Sequence, residues 1–125
     1  MASTPEPLHS VELLHLIDAA TWKSLSESKS ERYRAPSLDE VGFIHLSSAE
    51  QVHLPANRLY AGREDLLLLV IDQAQLDAPV RWEPGVPTDP SSMTFPHLYG
   101  SLPTAAVVDI RPYRPDANGT FPQLT

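Results

Sequence analysis

The chain has 125 residues, of which 42% are hydrophobic and 20% are charged, and it contains no cysteine. This composition is typical of one globular domain and excludes a disordered chain, a disulfide scaffold and a thiolate metal site. The formal net charge of −7 argues against a duplex nucleic-acid partner, which needs a concentrated basic surface, but it is compatible with one anionic small molecule.

Thirteen prolines divide the chain into short segments. We predict a flexible arm over residues 1–10, one globular domain over 11–112 and a weakly structured tail over 113–125. The N-terminal sequence has no secretory signal pattern, and the longest apolar run, 66–71, is shorter than the about 18 residues of a membrane-spanning helix. We therefore expect a cytoplasmic protein with no membrane partner.

In the first third of the chain, apolar patterning predicts two short strands, over residues 11–17 and 42–46. Asp18 is the expected N-cap of a helix that reaches Leu25. One more helical turn is expected at 37–40, directly after a proline.

A helix start is predicted at Ser47, because Ser47 and Glu50 have the spacing of a capping box. Free backbone amides at such a helix start would favour an anion. Pro55 is expected at the first position of a further helix, over 55–60, that is closed by Gly62.

The second half reads as four strands, over residues 66–71, 78–83, 93–98 and 105–111. The first of these is apolar on both faces, which predicts a central strand. Because strands and helices interleave without a regular β-α-β order, we predict the α+β class, with a mixed, mostly antiparallel sheet and short helices.

Three histidines are the strongest chemical signal. His15, His45 and His97 are each flanked by apolar residues in a predicted strand, so their side chains point to the opposite face and could converge on one cleft. The alternative is three separately satisfied, half-buried histidines. Together with Glu83 they could ligate zinc, but no His-x-His or His-x₃-His pair seeds such a site, so we predict no metal.

Other polar residues have both a functional and a structural interpretation. Glu83 follows Trp82 and could have a raised pKa suited to acid–base work, or could simply pair with Arg81. A nucleophilic Ser47 is not expected, because the Gly-x-Ser-x-Gly elbow is absent. Arginines near the helices could clamp a phosphate, and tyrosines could stack on a planar ligand; these are Arg34, Arg58, Arg63, Tyr33, Tyr60 and Tyr99.

Several segments occur in the order of a small bacterial family. The specific ones are Gly42-Phe43-Ile44-His45 and Phe95-Pro96-His97-Leu98-Tyr99-Gly100. Over about residues 13–112 the chain resembles the family called domain of unknown function 952. Members of that family are similar to the ADP-ribosyltransferase fold, which includes RNA 2′-phosphotransferases.

The resemblance implies a split sheet with a nicotinamide-dinucleotide cleft between its halves, and NAD as a candidate substrate. It implies that His15 contacts the ADP-ribose side and that His45 with Ser47 lies near the nicotinamide. It also implies that His97 or Glu83 assists at the ribose.

Three departures from the family patterns bear on activity. His97 stands where protein-modifying transferases have a catalytic glutamate, and Val41 and Leu46 replace a common glutamate and cysteine. Cleavage of the nicotinamide–ribose bond develops positive charge that a carboxylate stabilises better than a histidine does. The residues therefore favour a binding cleft over a protein-modifying transferase.

We expect a cleft that binds a nucleotide-like or phosphorylated small molecule, with transfer of an ADP-ribosyl or phosphoryl group as the enzymatic hypothesis. The alternatives are a non-catalytic metabolite- or protein-binding module and a metal-dependent hydrolase. The catalytic candidates are His15, His45, Glu83 and His97, and the ligand-binding candidates are Arg34, Ser47, Arg58, Tyr60 and Tyr99.

Overall fold

The computed structural model describes residues 12–85 and 93–124. The predicted N-terminal arm, 1–10, lies outside the described residues. Short helices and strands alternate as far as the strand Leu66–Asp72, and the described strands after it are interrupted by 3₁₀ turns at Gln73–Gln75 and Thr104–Ala106. In order they are β1 (Glu12–Asp18), α1 (Ala19–Glu27), β2 (Arg32–Tyr33), α2 (Pro36–Val41), β3 (Ile44–His45), α3 (His53–Tyr60), β4 (Leu66–Asp72), β5 (Val80–Pro84), β6 (Thr94–Leu98), β7 (Leu102–Pro103) and β8 (Val107–Tyr113).

Within the described residues the strands form three separate sheets. The core sheet has the order β1-β4-β8, the histidine sheet has the order β3-β6-β5, and β2 pairs with β7 alone. Every one of these described pairs is antiparallel. The predicted α+β class with short helices is confirmed, whereas the parallel pairing implied by a mixed sheet is not found in this part of the chain.

Strand β4 is central in the core sheet, as its uninterrupted apolar sequence predicts. Alternate residues point to opposite faces of a strand. Leu66, Leu68 and Val70 therefore pack against α3 in one apolar cluster, while Leu69 and Ile71 pack in a second cluster. That second cluster also contains residues of the histidine sheet, so β4 is covered on both faces.

In the described part of the chain, a two-residue backbone bridge joins the core sheet to the segment that follows β3 of the histidine sheet. The Leu14 amide donates to the Ser47 carbonyl at 2.7 Å, and the Ser47 amide donates to the Leu14 carbonyl at 2.8 Å. One residue earlier, the Leu46 amide donates to the Pro96 carbonyl of β6 at 3.0 Å. The short segment after β3 thus bonds to one sheet and then to the other.

This bridge explains why the helix predicted at Ser47 is wrong. Both backbone groups of Ser47 are used by Leu14, and the Ser48 amide donates to the Gln51 side chain at 3.2 Å. No helix starts at Ser47, so the anion site expected from the free amides of a helix start is not formed there. Instead α3 begins at His53, and Pro55 is its third residue, still within the first turn where a missing amide costs no helical bond.

The N-cap predicted for α1 is confirmed. The Asp18 carboxylate accepts from the Thr21 amide at 2.9 Å and from the Thr21 hydroxyl at 2.7 Å. This cap fixes the point where β1 ends and α1 starts. Asp18 and Thr21 both line the cleft that contains the candidate site. None of the described helices has the length and apolar character needed to cross a membrane.

The tail is more firmly packed than the predicted domain end at residue 112 implies. Residues 114–124 lack helix and strand, but Phe121 is only 1% exposed and its ring packs on Tyr113, with centroids 4.9 Å apart. The Asn57 side chain accepts from the Phe121 amide at 2.6 Å and donates to its carbonyl at 3.1 Å. Because Asn57 lies in α3, the tail is fastened to that helix.

Replacing Phe121 by alanine should lower the free energy of unfolding by about 3–5 kcal/mol, since a buried aromatic side chain is removed from a packed cluster. Urea denaturation measures this value. The matched control is Leu124→Ala, at a tail residue that is 39% exposed, where we expect a change within about 0.5 kcal/mol. Equal effects of the two variants would contradict the packed tail.

Candidate functional site

A cleft of about 670 Å³ opens beside the bridge between the two sheets. Its wall is built from β1, the turn before α2, the segment after β3, and α3. The structure thus brings six of the nine predicted site residues to one surface, and they are His15, Arg34, His45, Ser47, Arg58 and Tyr60. Glu83, His97 and Tyr99 are not among the residues that line it.

His15 is buried at the inner end of the cleft and is held by one hydrogen bond. Its Nδ1 lies 2.8 Å from the His45 carbonyl oxygen, so Nδ1 must carry the proton and donate. Burial lowers the pKa of His15 to about 4, and the ring is therefore neutral at pH 7. In that tautomer Nε2 carries a lone pair and can accept a hydrogen bond from a ligand.

His45 presents its side chain to the same cleft and remains exposed to solvent. Its ring packs edge-on against Phe43, with centroids 5.0 Å apart, and against His97, with centroids 5.4 Å apart. Desolvation by these neighbours lowers the pKa of His45, and the charges of His97 and Arg58 lower it further. His45 is thus suited to neutral hydrogen bonding at pH 7.

Glu83, His97 and Tyr99 form a hydrogen-bonded network next to the cleft. His97 Nδ1 donates to Glu83 Oε1 at 2.9 Å, and the Tyr99 hydroxyl donates to the same oxygen at 2.6 Å. The bonds from Tyr99 and His97 hold the pKa of Glu83 below its ordinary value. The raised pKa expected for Glu83 is therefore wrong, because the carboxylate is satisfied by two donors and remains ionised.

Three arginines line the cleft, whereas Asp18 is the only acidic residue among the described lining residues. The Asp18 carboxylate is already occupied by the α1 cap. Arg34 pairs with Asp39 at 2.6 Å and Arg63 pairs with Asp65 at 2.6 Å, and the side chains of both pairs are about half exposed or more. Exposed ion pairs of this kind are worth little, so an anionic ligand could displace them.

Two tyrosines border the cleft, Tyr33 from β2 and Tyr60 from α3. The Tyr33 ring lies 5.8 Å from the His15 ring at a tilt of 55°, and Tyr60 lies under the Arg63 guanidinium, 5.7 Å from its ring centroid. Both are partly buried.

The sequence reasoning missed Phe43, whose ring stacks on that of His97 with centroids 3.9 Å apart. The sequence contained a signal for Phe43. Phe43 and His45 flank the core residue Ile44, and side chains two residues apart on a strand lie on the same face.

A metal site finds no support in the described chain. Among residues 12–85 and 93–124, no group of three or more His, Asp or Glu side chains is placed to hold one ion. His97 and Glu83 are bonded to each other, while His15 bonds to a backbone carbonyl.

The model of a family described as "Protein of unknown function (DUF952)" matches residues 16–110. An X-ray structure of protein CC0527 from Caulobacter crescentus has a TM-score of 0.73 and 26% identity, covering 89% of this chain and 93% of that one. A solution NMR structure of CC0527 has a TM-score of 0.71 and 28% identity, covering 90% and 92%. No curated protein gives a significant match.

The depressed pKa of His15 should make folding stability depend on pH. The ordinary value is 6.5 and the folded value is about 4, so the unfolded chain binds more protons between these limits and stability falls as the pH falls through this window. From pH 7 to pH 5 we expect His15 to account for a loss of about 2 kcal/mol.

Urea unfolding of the wild type and of His15→Gln at both pH values measures this loss. Glutamine can still donate to the His45 carbonyl but does not titrate, so the variant should lose less stability than the wild type on acidification. The same pH dependence in both proteins would show that His15 is not buried in its neutral form.

Proposed function

The chain belongs to the DUF952 family of proteins of unknown function, and we propose that its cleft binds a phosphorylated, nucleotide-like small molecule. The observation that carries the proposal is the charge of the cleft. A protein of net charge −7 places Arg34, Arg58 and Arg63 around one concave surface. Local fields, rather than net charge, decide the binding of a small anion.

The arginines supply the affinity for phosphate in this proposal. A guanidinium matches the geometry of phosphate oxygens and forms charge-assisted hydrogen bonds with them. Arg58 comes from the last turn of α3, Arg34 from the turn before α2, and Arg63 from the segment after α3. Because three different elements contribute, an anion held between them is contacted from more than one side.

The remaining wall suits the neutral part of such a ligand. Tyr33 and Tyr60 offer aromatic surface for a base, and base–aromatic stacking contributes about 1–3 kcal/mol per base. His15 Nε2 offers an acceptor for a ligand hydroxyl or N–H group, as its tautomer requires. A volume of about 670 Å³ lies within the range of small-molecule sites.

The finer form of the proposal is a cleft related to that of the ADP-ribosyltransferase-like proteins, with NAD or ADP-ribose as the ligand. Two features support it. The cleft lies where two sheets meet, and His15, on the first strand, lies next to the segment that carries His45 and Ser47. These are the positions that the family resemblance gives to the ADP-ribose and nicotinamide contacts.

A non-catalytic binding module is the second candidate, and one observation favours it over transfer. An oxocarbenium-like transition state needs a free carboxylate near the reacting carbon. No glutamate is among the described residues that line the cleft, Glu83 is bonded to His97 and Tyr99, and Asp18 caps α1. We therefore propose binding as the primary function and group transfer as its extension.

Calorimetric titration with ADP-ribose, NAD⁺ and inorganic phosphate tests the binding proposal. We expect saturable binding of at least one nucleotide, weakened about tenfold or more by Arg58→Ala, because one charge-assisted phosphate contact is lost. The matched control is Lys23→Ala, which removes the same charge from an exposed position on α1 outside the cleft. Equal affinities of the two variants, or no binding by folded protein, would contradict the proposal.

A turnover assay separates the two candidates. NAD⁺ incubated with the protein is followed by proton NMR, in which free nicotinamide has its own signals. Binding without release of nicotinamide supports the non-catalytic module. Release that is abolished by His45→Ala supports a transferase or hydrolase.

A further inference from the structure

The network formed by Tyr99, Glu83 and His97 lies directly behind the exposed ring of His45. We propose that Glu83 and Tyr99 are positioning residues that act through His97 to hold His45 in the ligand cleft. This inference rests on the proposed function only in assigning His45 to ligand binding. The positioning itself concerns the protein without ligand.

The sheet register brings these side chains onto one face. His45 of β3 is opposite His97 of β6, and His97 is in turn opposite Arg81 of β5. Glu83 follows Arg81 by two residues and so shares its face. The face therefore carries a row of polar side chains, whereas the other face contributes Ile44 to the apolar core.

Glu83 determines the tautomer of His97. The side chain of His97 is only 2% exposed, so it cannot exchange its partner for water. Because an ionised carboxylate can only accept, His97 Nδ1 carries the proton that it donates to Glu83. The Tyr99 hydroxyl donates to the same oxygen and fixes the carboxylate in turn.

The other nitrogen of His97 does not hold the ring in place. His97 Nε2 is buried and has no hydrogen-bond partner in the part of the chain that the structure describes. The ring is oriented by the bond to Glu83 together with ring packing, including the stacking on Phe43, with centroids 3.9 Å apart and planes 13° apart. Removing the carboxylate leaves the ring contacts with Phe43 and His45, which do not distinguish the two ring nitrogens.

The orientation of His97 is transmitted to His45 by direct packing. The two rings meet edge to face, with an interplanar angle of 86°, and both touch Phe43. Among the described residues, the titratable and charged groups that act on His45 are His97 from β6, Arg58 from α3 and His15 from β1. His97 is bonded to Glu83, which is not among the described residues that line the cleft, so Glu83 is able to adjust His45 from outside the cleft.

The experiment uses histidine-specific ¹⁵N labelling of the ligand-free protein. Long-range proton–nitrogen spectra at about pH 8 report the tautomer of each ring, and a pH titration reports the pKa of His45. In the wild type we expect His97 as the Nδ1–H tautomer. In Glu83→Ala we expect a mixture of His97 tautomers and a shifted pKa of His45, since the His97 ring that packs against His45 loses the bond that fixes its orientation.

Three further variants sharpen the test. Glu83→Gln should restore the tautomer in part, because its amide oxygen can accept from His97 while the charge stays absent. Tyr99→Phe, which leaves Glu83 in place, should shift the signals of His97 less and serves if Glu83→Ala does not fold. Asp109→Asn is the matched control, because Asp109 is an exposed carboxylate paired with Arg111 on β8.

A ligand titration then separates this inference from the proposed function. If ADP-ribose binds, Glu83→Ala should weaken binding about threefold to tenfold, while Asp109→Asn should not change it. Tautomer and pKa values in Glu83→Ala and Tyr99→Phe that match those of Asp109→Asn would overturn the positioning role. Failure of the wild type to bind any nucleotide would overturn the proposed function but leave the spectroscopic result standing.

Discussion

The whole site depends on the point where two sheets are joined by a few hydrogen bonds. Leu14 and Ser47 exchange two backbone bonds, and in the next residue His15 Nδ1 donates to the His45 carbonyl. These three bonds connect the core sheet to the end of β3 and the segment that follows it. Residues of the two sheets also share one apolar cluster, and the cleft opens beside these bonds, lined by His15, His45 and Ser47. A neutral His15 is required here, since an imidazolium at this depth would be poorly solvated.

The charge distribution follows from how the ion pairs are placed. The side chains of Arg34, Arg63 and their aspartate partners are about half exposed or more, so water weakens each pair. Among the described lining residues the acidic one is Asp18, which is already used by the α1 cap. Burial lowers the pKa of His15 to about 4, and desolvation and neighbouring charges lower the pKa of His45. The cleft therefore combines arginines with histidines that favour the neutral, hydrogen-bonding form.

The C-terminal segment supports the cleft indirectly, because it holds α3 in place. Asn57 bonds both backbone groups of Phe121, so the helix that carries Arg58 and Tyr60 is anchored to the tail. A helix of eight residues has little intrinsic stability, and its position depends on this docking and on burial of Ala56 and Val52. Packing that is remote from the cleft thus determines where its arginine lies.

Local chemistry in the sequence determined much of the fold. The apolar run of β4, the N-cap at Asp18 and the apolar-flanked histidines could be read directly, because each depends on neighbours in the chain. Only the tertiary structure decided the rest. Ser47 has a helix-capping pattern but pairs with Leu14, since a distant backbone offers both a donor and an acceptor. Glu83 and His97 carry the right chemistry, yet strand register and the Tyr99 bond place them behind the cleft rather than in it. At Ser47, long-range backbone pairing outweighed the local preference for a helix cap. At Glu83 and His97, the pairing of distant strands decided where the side chains lie, and such pairing cannot be read from spacing along the chain.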